Sequence, residues 1–377
     1  MKNGLRLNIS RLKYASTLSL FFLLLTACSD SSHKEEVTRY TEYRFSTESA
    51  VKGIEIAKLL QAGNTVSEDH WENLFASEGY KNYLIYSNAE AQKELIKDAI
   101  ETVFDPNRIG ELDSLLSLPV TMGKNFYKLI LIRNFARLKK NLVEAEEFIY
   151  EDFNPLIASG DSLARLFLPE SIQDSLPRLY DCHLILSDPD AKVMDNAIVL
   201  DLNMALEKGK DELLKIIAHE FHHNYRKLAI PSFTDPLMIE INKVHQEGVA
   251  DLIDKKKPPI HESLYPEVFI EMYNLEYAST AETLGVLDSL THDFLTQKID
   301  TTAYHDQLKS FFPIGGHPNG FYMALEIAEH RGKEVLIETY NDPFEFIRIY
   351  NEVAKESQGN HVFSSAFMNY LEELEKD

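Results

Sequence analysis

The run Ile216-Ile217-Ala218-His219-Glu220-Phe221-His222-His223-Asn224 constrains this 377-residue chain more than any other stretch. It contains the spacing His219-Glu220-x-x-His223. Positions four apart lie on one face of an α-helix, about 6 Å along its axis, so both imidazoles can converge on one Zn²⁺. Glu220 then projects beside them toward a metal-bound water, placed to accept its proton. The flanks predict such a helix. Asp211 and Glu212 stand at its start and Arg226 and Lys227 at its end, as the helix dipole favours. Leu213, Leu214, Ile216, Ile217 and Phe221 supply an apolar face, and Pro231 lies just beyond. The plainer reading is a surface helix that carries three histidines.

A second stretch, Glu247-Gly248-Val249-Ala250-Asp251, fits the first. A tetrahedral zinc held by two imidazoles needs a third protein ligand and one open position for water. Glu247 can supply that ligand. Asp251, one turn later, can accept a hydrogen bond from the free ring N–H of a liganding histidine, expected to be His219, and so fix its tautomer. Gly248 and Ala250 are small enough to let this second helix approach the first. In a chain with 60 Asp and Glu, a solvated acidic helix face is the alternative.

Taken together, His219-Glu220-x-x-His223 followed by Glu247-x-x-x-Asp251 resembles the gluzincin metallopeptidases. The local forms, HEFHHNYR and EGVADLID, are similar to a group of zinc-dependent peptidases found as bacterial lipoproteins. The resemblance covers roughly residues 180–330. It implies His219, His223 and Glu247 as zinc ligands, Glu220 as general base and Asp251 as the partner of a ligand.

The N-terminus reads as a targeting segment over residues 1–27. Lys2, Arg6, Arg11 and Lys13 form a basic region, an apolar run extends from Leu18 to Leu25, and Leu25-Thr26-Ala27-Cys28 resembles a bacterial lipobox. Cys28 would then be lipidated and anchor the chain to a membrane of the bacterial cell envelope. Residues 28–43 are polar and acidic and read as a flexible tether. The formal net charge of −22 argues against nucleic acid as a partner through a basic face. Cys28 and Cys182 are the two cysteines. With the first lipidated no internal disulfide remains, and Cys182 reads as a small core residue in a strand.

Residues 44–175 show a helical pattern, with Ser67 and Asn88 as N-caps and a long helical stretch from Asn125 to Phe153 that ends at Pro155. The period changes at residues 176–377, expected to hold the catalytic core and a helical C-terminal part. Cys182–Leu186 and Ala197–Leu202 read as neighbouring strands. The resemblance implies that the second borders the cleft and pairs with extended substrate; an ordinary covered strand is the alternative. Lys255-Lys256-Lys257-Pro258-Pro259 reads as a loop, and helical patterns resume around Phe269–Leu295. A Gly/Pro-rich turn then delivers His317 and Tyr322 around a helix beginning near Gly320. Either could donate to the oxyanion formed when water attacks a carbonyl, or serve as a turn residue and a core aromatic.

The expected fold is α+β and mostly α, a zincin-like core with a small β-sheet and helical N- and C-terminal parts. The expected function is zinc-dependent hydrolysis of peptide bonds in a peptide or protein substrate. A zinc hydrolase of another amide is one alternative. A helical surface lipoprotein that binds a ligand or envelope partner without chemistry is the other.

Overall fold

The computed structural model describes residues 43–376, apart from 86, 124, 174, 175, 177–180, 195, 196, 262 and 263. The leader expected over 1–27, the lipidation expected at Cys28 and nearly all of the tether expected over 28–43 lie outside the described residues. Among the described residues no helix is long and apolar enough to cross a membrane.

A four-stranded sheet organises the first half. Its strands are β1 (Arg44–Ser46), β2 (Asp181–Ile185), β3 (Ala191–Met194) and β4 (Ala197–Asp201), in the spatial order β1-β2-β4-β3. β1, β2 and β4 run parallel and β3 runs antiparallel to β4. The register aligns Phe45, Cys182, Ile198 and Val193 in one row across the sheet. β4 is buried along its whole length, as befits a strand covered on both faces. Among the described residues nine α-helices precede β2: α1 (Glu48–Gln61), α2 (Glu68–Phe75), α3 (Glu78–Leu84), α4 (Ala89–Phe104), α5 (Ile109–Ser117), α6 (Phe126–Lys140), α7 (Leu142–Phe148), α8 (Asn154–Arg165) and α9 (Glu170–Gln173). After β4 come α10 (Leu202–Ala229), α11 (Pro236–Asp254), α12 (Glu267–Ala278), α13 (Thr280–Leu295) and α14 (Thr301–Leu308). The last four are α15 (His317–Arg331), α16 (Lys333–Glu338), α17 (Pro343–Glu356) and α18 (Ser365–Leu374). The protein is therefore α+β and mostly α.

Two large apolar cores and two small clusters result among the described residues. The first joins the N-terminal helices, the sheet and α10 through Leu213, Ile217, Phe221 and Tyr225. The second gathers α11 and α13–α18. α11 passes from one to the other: Leu237, Ile241, Val244 and Val249 lie in the second core, and Ile253 lies in the first.

Several expectations need correction. The Ala197–Leu202 strand is not an edge: β4 is paired on both sides, and the edge position beside it belongs to β3, a strand not anticipated from the sequence. β1 was likewise unforeseen, because three residues are too few for a period to show. The Asn125–Phe153 stretch divides at Asn141 into α6 and α7, and Pro155 opens α8 instead of closing its predecessor. Proline suits the first helical turn, where an N–H has no intrahelical acceptor to lose. His317 is the first residue of α15, three positions before the expected start. Cys182 is free and fully buried, as the apolar strand predicts.

Candidate metal centre and active site

The helix that carries the first motif is set by its two ends. Asp201, the last residue of β4, caps α10 by accepting from the Met204 amide at 2.8 Å. The same carboxylate accepts from the Ser187 amide at 3.0 Å and from Asn134 Nδ2 at 2.8 Å, fastening the sheet and α6 to the helix start. Gly209, with φ at 68°, interrupts the helix, and the segment from there to Ala229 carries the motif. The second helix is capped by Asp235, whose side chain accepts from the Leu237 and Met238 amides, with Pro236 in its first turn. Gly248 does not serve the approach of α11 to α10 as expected. It faces Gly320, and α11 crosses α15 there in backbone contact. Gly316, at φ 90°, turns the chain into α15 against Val244. This crossing sets His317 over Glu247 and Asp251.

Three side chains converge. His219 Nε2 and His223 Nε2 stand 2.9 Å apart, and Glu247 Oε2 lies 3.1 Å from His223 Nε2 and 3.7 Å from His219 Nε2. Tetrahedral zinc with bonds of 2.0–2.1 Å would separate its ligand atoms by about 3.4 Å, within the span of these distances. The donor set fits zinc, and His219, His223 and Glu247 could hold a metal ion. This face is not solvated: His219 is 4% exposed and Glu220 7%. Burial pushes the Glu220 carboxyl up, against the opposing pull of His219 and His223. Burial would also raise Glu247, but His223, His317 and His219 hold it well below the usual carboxylate range.

The partners of the histidines differ from those expected. Asp251 lies 3.7 Å from His219 Nδ1, too far for a hydrogen bond, and instead accepts from His317 Nδ1 at 3.0 Å. The carboxylate that meets His219 Nδ1, at 2.9 Å, is that of Asp254. Its other oxygen accepts from Lys255 Nζ at 2.6 Å. Burial opposes the charge on His219, yet Asp254, Glu247 and Glu220 together hold its imidazole well above the ordinary histidine range. Burial works against His317 as well, but Glu247 and Asp251 push it up to about 9. His219, Asp251 and His317 form a second group that could hold a metal ion. Sequence reasoning missed Asp254, although Glu247, Asp251 and Asp254 follow the i, i+4, i+7 spacing of one helix face.

Tyr322 is not brought to this cluster. Five positions beyond His317, it is rotated about 140° around α15. Its ring packs edge-on to Tyr277, and its hydroxyl donates to Asn360 Oδ1, whose amide in turn donates to Glu326. Behind the motif, fully buried Arg226 donates to the Tyr340 carbonyl oxygen at 2.9 Å, to Asn242 Oδ1 at 2.8 Å and to His245 Nδ1 at 2.7 Å. His245 Nε2 then donates to Thr339 Oγ1, which donates to the Leu336 carbonyl oxygen. This chain of donors ties α10 to α11 and α16.

An α+β fold with buried histidines and carboxylates converging at one point defines a candidate metal-dependent enzyme. The chain belongs to the family described as "Putative zinc dependent peptidase (DUF5700)", whose model matches residues 71–359, more than half of its length. No curated protein and no solved structure matches the chain.

Proposed function

We propose that this protein is a zinc-dependent metallopeptidase, with His219, His223 and Glu247 as ligands and Glu220 as general base. The observation that carries the reading is the convergence of three ligand atoms from α10 and α11 beside a buried carboxylate. Membership in a family described by zinc-dependent peptidase chemistry supports it. Zinc, when bound, lowers the pKa of a water to about 7 and polarises a carbonyl.

The chain's own residues supply the rest. Glu220, its basicity raised by burial, takes the proton of the attacking water and delivers it to the leaving amine. His317, held through Nδ1 by Asp251, can donate from Nε2 to the oxyanion. The backbone edge of β3, which contacts α10, would offer an extended peptide a strand to pair with. Lipidation at Cys28 belongs to the same reading and would hold the enzyme at the cell envelope; Cys28→Ser should leave an unlipidated precursor.

Glu220→Gln tests the reading. The amide keeps the shape and cannot accept the proton, so zinc content and melting temperature should stay at wild-type values. Turnover should fall by ~10²–10⁴-fold. Wild type and variant are compared on a mixed peptide library by mass spectrometry, with zinc measured in both. Fragments produced equally by both forms would remove Glu220 from the mechanism. Zinc-loaded wild type that cuts no peptide would favour hydrolysis of another amide.

A further inference from the structure

We propose that Asp254 is the positioning residue for His219 and that Lys255 clamps it, a role that rests on the zinc reading above. Asp251, the carboxylate at the expected spacing, is committed to His317 and lies 3.7 Å from His219 Nδ1. Asp254, two turns beyond Glu247 on the same helix face, accepts from His219 Nδ1 at 2.9 Å. Its side chain is 4% exposed, and its second oxygen accepts from Lys255 Nζ at 2.6 Å. With each oxygen on a different partner, the carboxylate cannot rotate without breaking one of these bonds.

The consequence is a fixed tautomer. Once the ring gives up a proton for metal binding, the one that remains stays on Nδ1 against Asp254, and Nε2 is left as the ligand atom beside His223 and Glu247. The second histidine has no such support: His223 Nδ1 is buried without a hydrogen-bond partner among the described residues. The two imidazoles are therefore unequal, one anchored through Nδ1 and the other, among the described residues, not. Lys255 is the first residue past α11, and its own amide donates to the Asp251 carbonyl oxygen at 2.8 Å. The clamp is thus part of the helix terminus, where a cation is favourable. Its side chain is one-third exposed, so loss of Asp254 leaves it hydrated and not stranded.

The test uses full-length protein, with zinc dissociation constants, the visible spectrum of cobalt-substituted protein, and melts of the metal-free forms. Asp254→Ala should weaken zinc by ~10–100-fold and shift the cobalt bands, with the metal-free melts separating this loss from any change in folding. Asp254→Asn keeps an acceptor without the charge and should fall between that variant and wild type. Asp251→Asn should leave the zinc constant close to wild type. Wild-type affinity in Asp254→Ala would overturn the assignment, as would an equal loss in Asp251→Asn. Should Asp254→Ala fail to fold, Lys255→Met decides: a several-fold loss supports the clamp, and unchanged affinity overturns it. Wild type that takes up no zinc would overturn the metal reading and this inference with it. Wild type loaded with zinc and indifferent to Asp254 would overturn this inference alone.

Discussion

Gly320 and Gly248 meet through their backbones: a Cβ on Gly320 would stand 2.8 Å from the Gly248 nitrogen and 2.1 Å from the Val244 carbonyl oxygen. Neither neighbour is a flexible side chain that could swing aside. Gly320→Ala should therefore force α15 off α11 and destabilise the protein by about 3 kcal/mol, read as a lowered denaturant midpoint. Gly110→Ala is the control. It sits in α5 with nothing within 4 Å of its added carbon, and should be neutral or stabilising by up to about 1 kcal/mol.

His317→Ala should retain zinc and lose roughly 10²–10³-fold in kcat, the cost of removing one oxyanion donor. Retained turnover would return His317 to a packing role.

The same ring gives a titration. Without metal, the carboxylates of Glu247 and Asp251 outweigh burial and push His317 up to about 9. NMR of chelator-treated protein should show its imidazole charged at neutral pH and losing its proton near that value. Asp251→Asn removes one anion and should move the midpoint down. A midpoint in the ordinary range for the wild type would show that the contact to Asp251 does not persist in solution.

Zinc should bind at close to one per chain, and His223→Ala should lose most of it. Because the ligands must be deprotonated and His219 is held well above the ordinary histidine range, affinity should already weaken with falling pH above about 6.5. Equal zinc in the variant would exclude His223 as a ligand.

Asp201 predicts a stability trend. Burial pushes its carboxyl from 3.8 up to about 7, despite bonds from Ser187, Asn134 and Met204. Between those values the folded state holds a proton that the unfolded chain has released. This contribution is therefore complete at low pH and is lost as pH rises through about 7. Asp201→Asn mimics the protonated acid, although the Ser187 amide loses its acceptor. Urea melts at pH 5 and pH 8 should show its stability rising relative to wild type with pH, and a constant difference would contradict the assignment.

The sequence made α10 and α11 legible because their signals are local: spacing within one helix, an acid at one end, bases at the other. It also exposed β2 and β4, whose apolar runs are continuous. What it hid was pairing across elements. Which of Asp251 and Asp254 meets His219 depends on the rotation of α11 against α10, while α11 also meets α15 backbone to backbone at Gly248 and Gly320. Tyr322 was misleading for the same reason, since proximity in sequence to His317 says nothing about which face of α15 it occupies. The strand beside the site was misread because β3 is only four residues long.

His219 and His223 stand on a helix rooted in one apolar core, and Glu247 stands on a helix rooted mainly in the other. A metal ion bound by all three would be a further fastener between the two cores, beside the Arg226 bonds that already tie α10 to α11. Linkage then runs both ways. Metal affinity becomes a gauge of how the cores are seated, and a substitution far from either motif that loosens the α11–α15 crossing should register first as a leak of zinc.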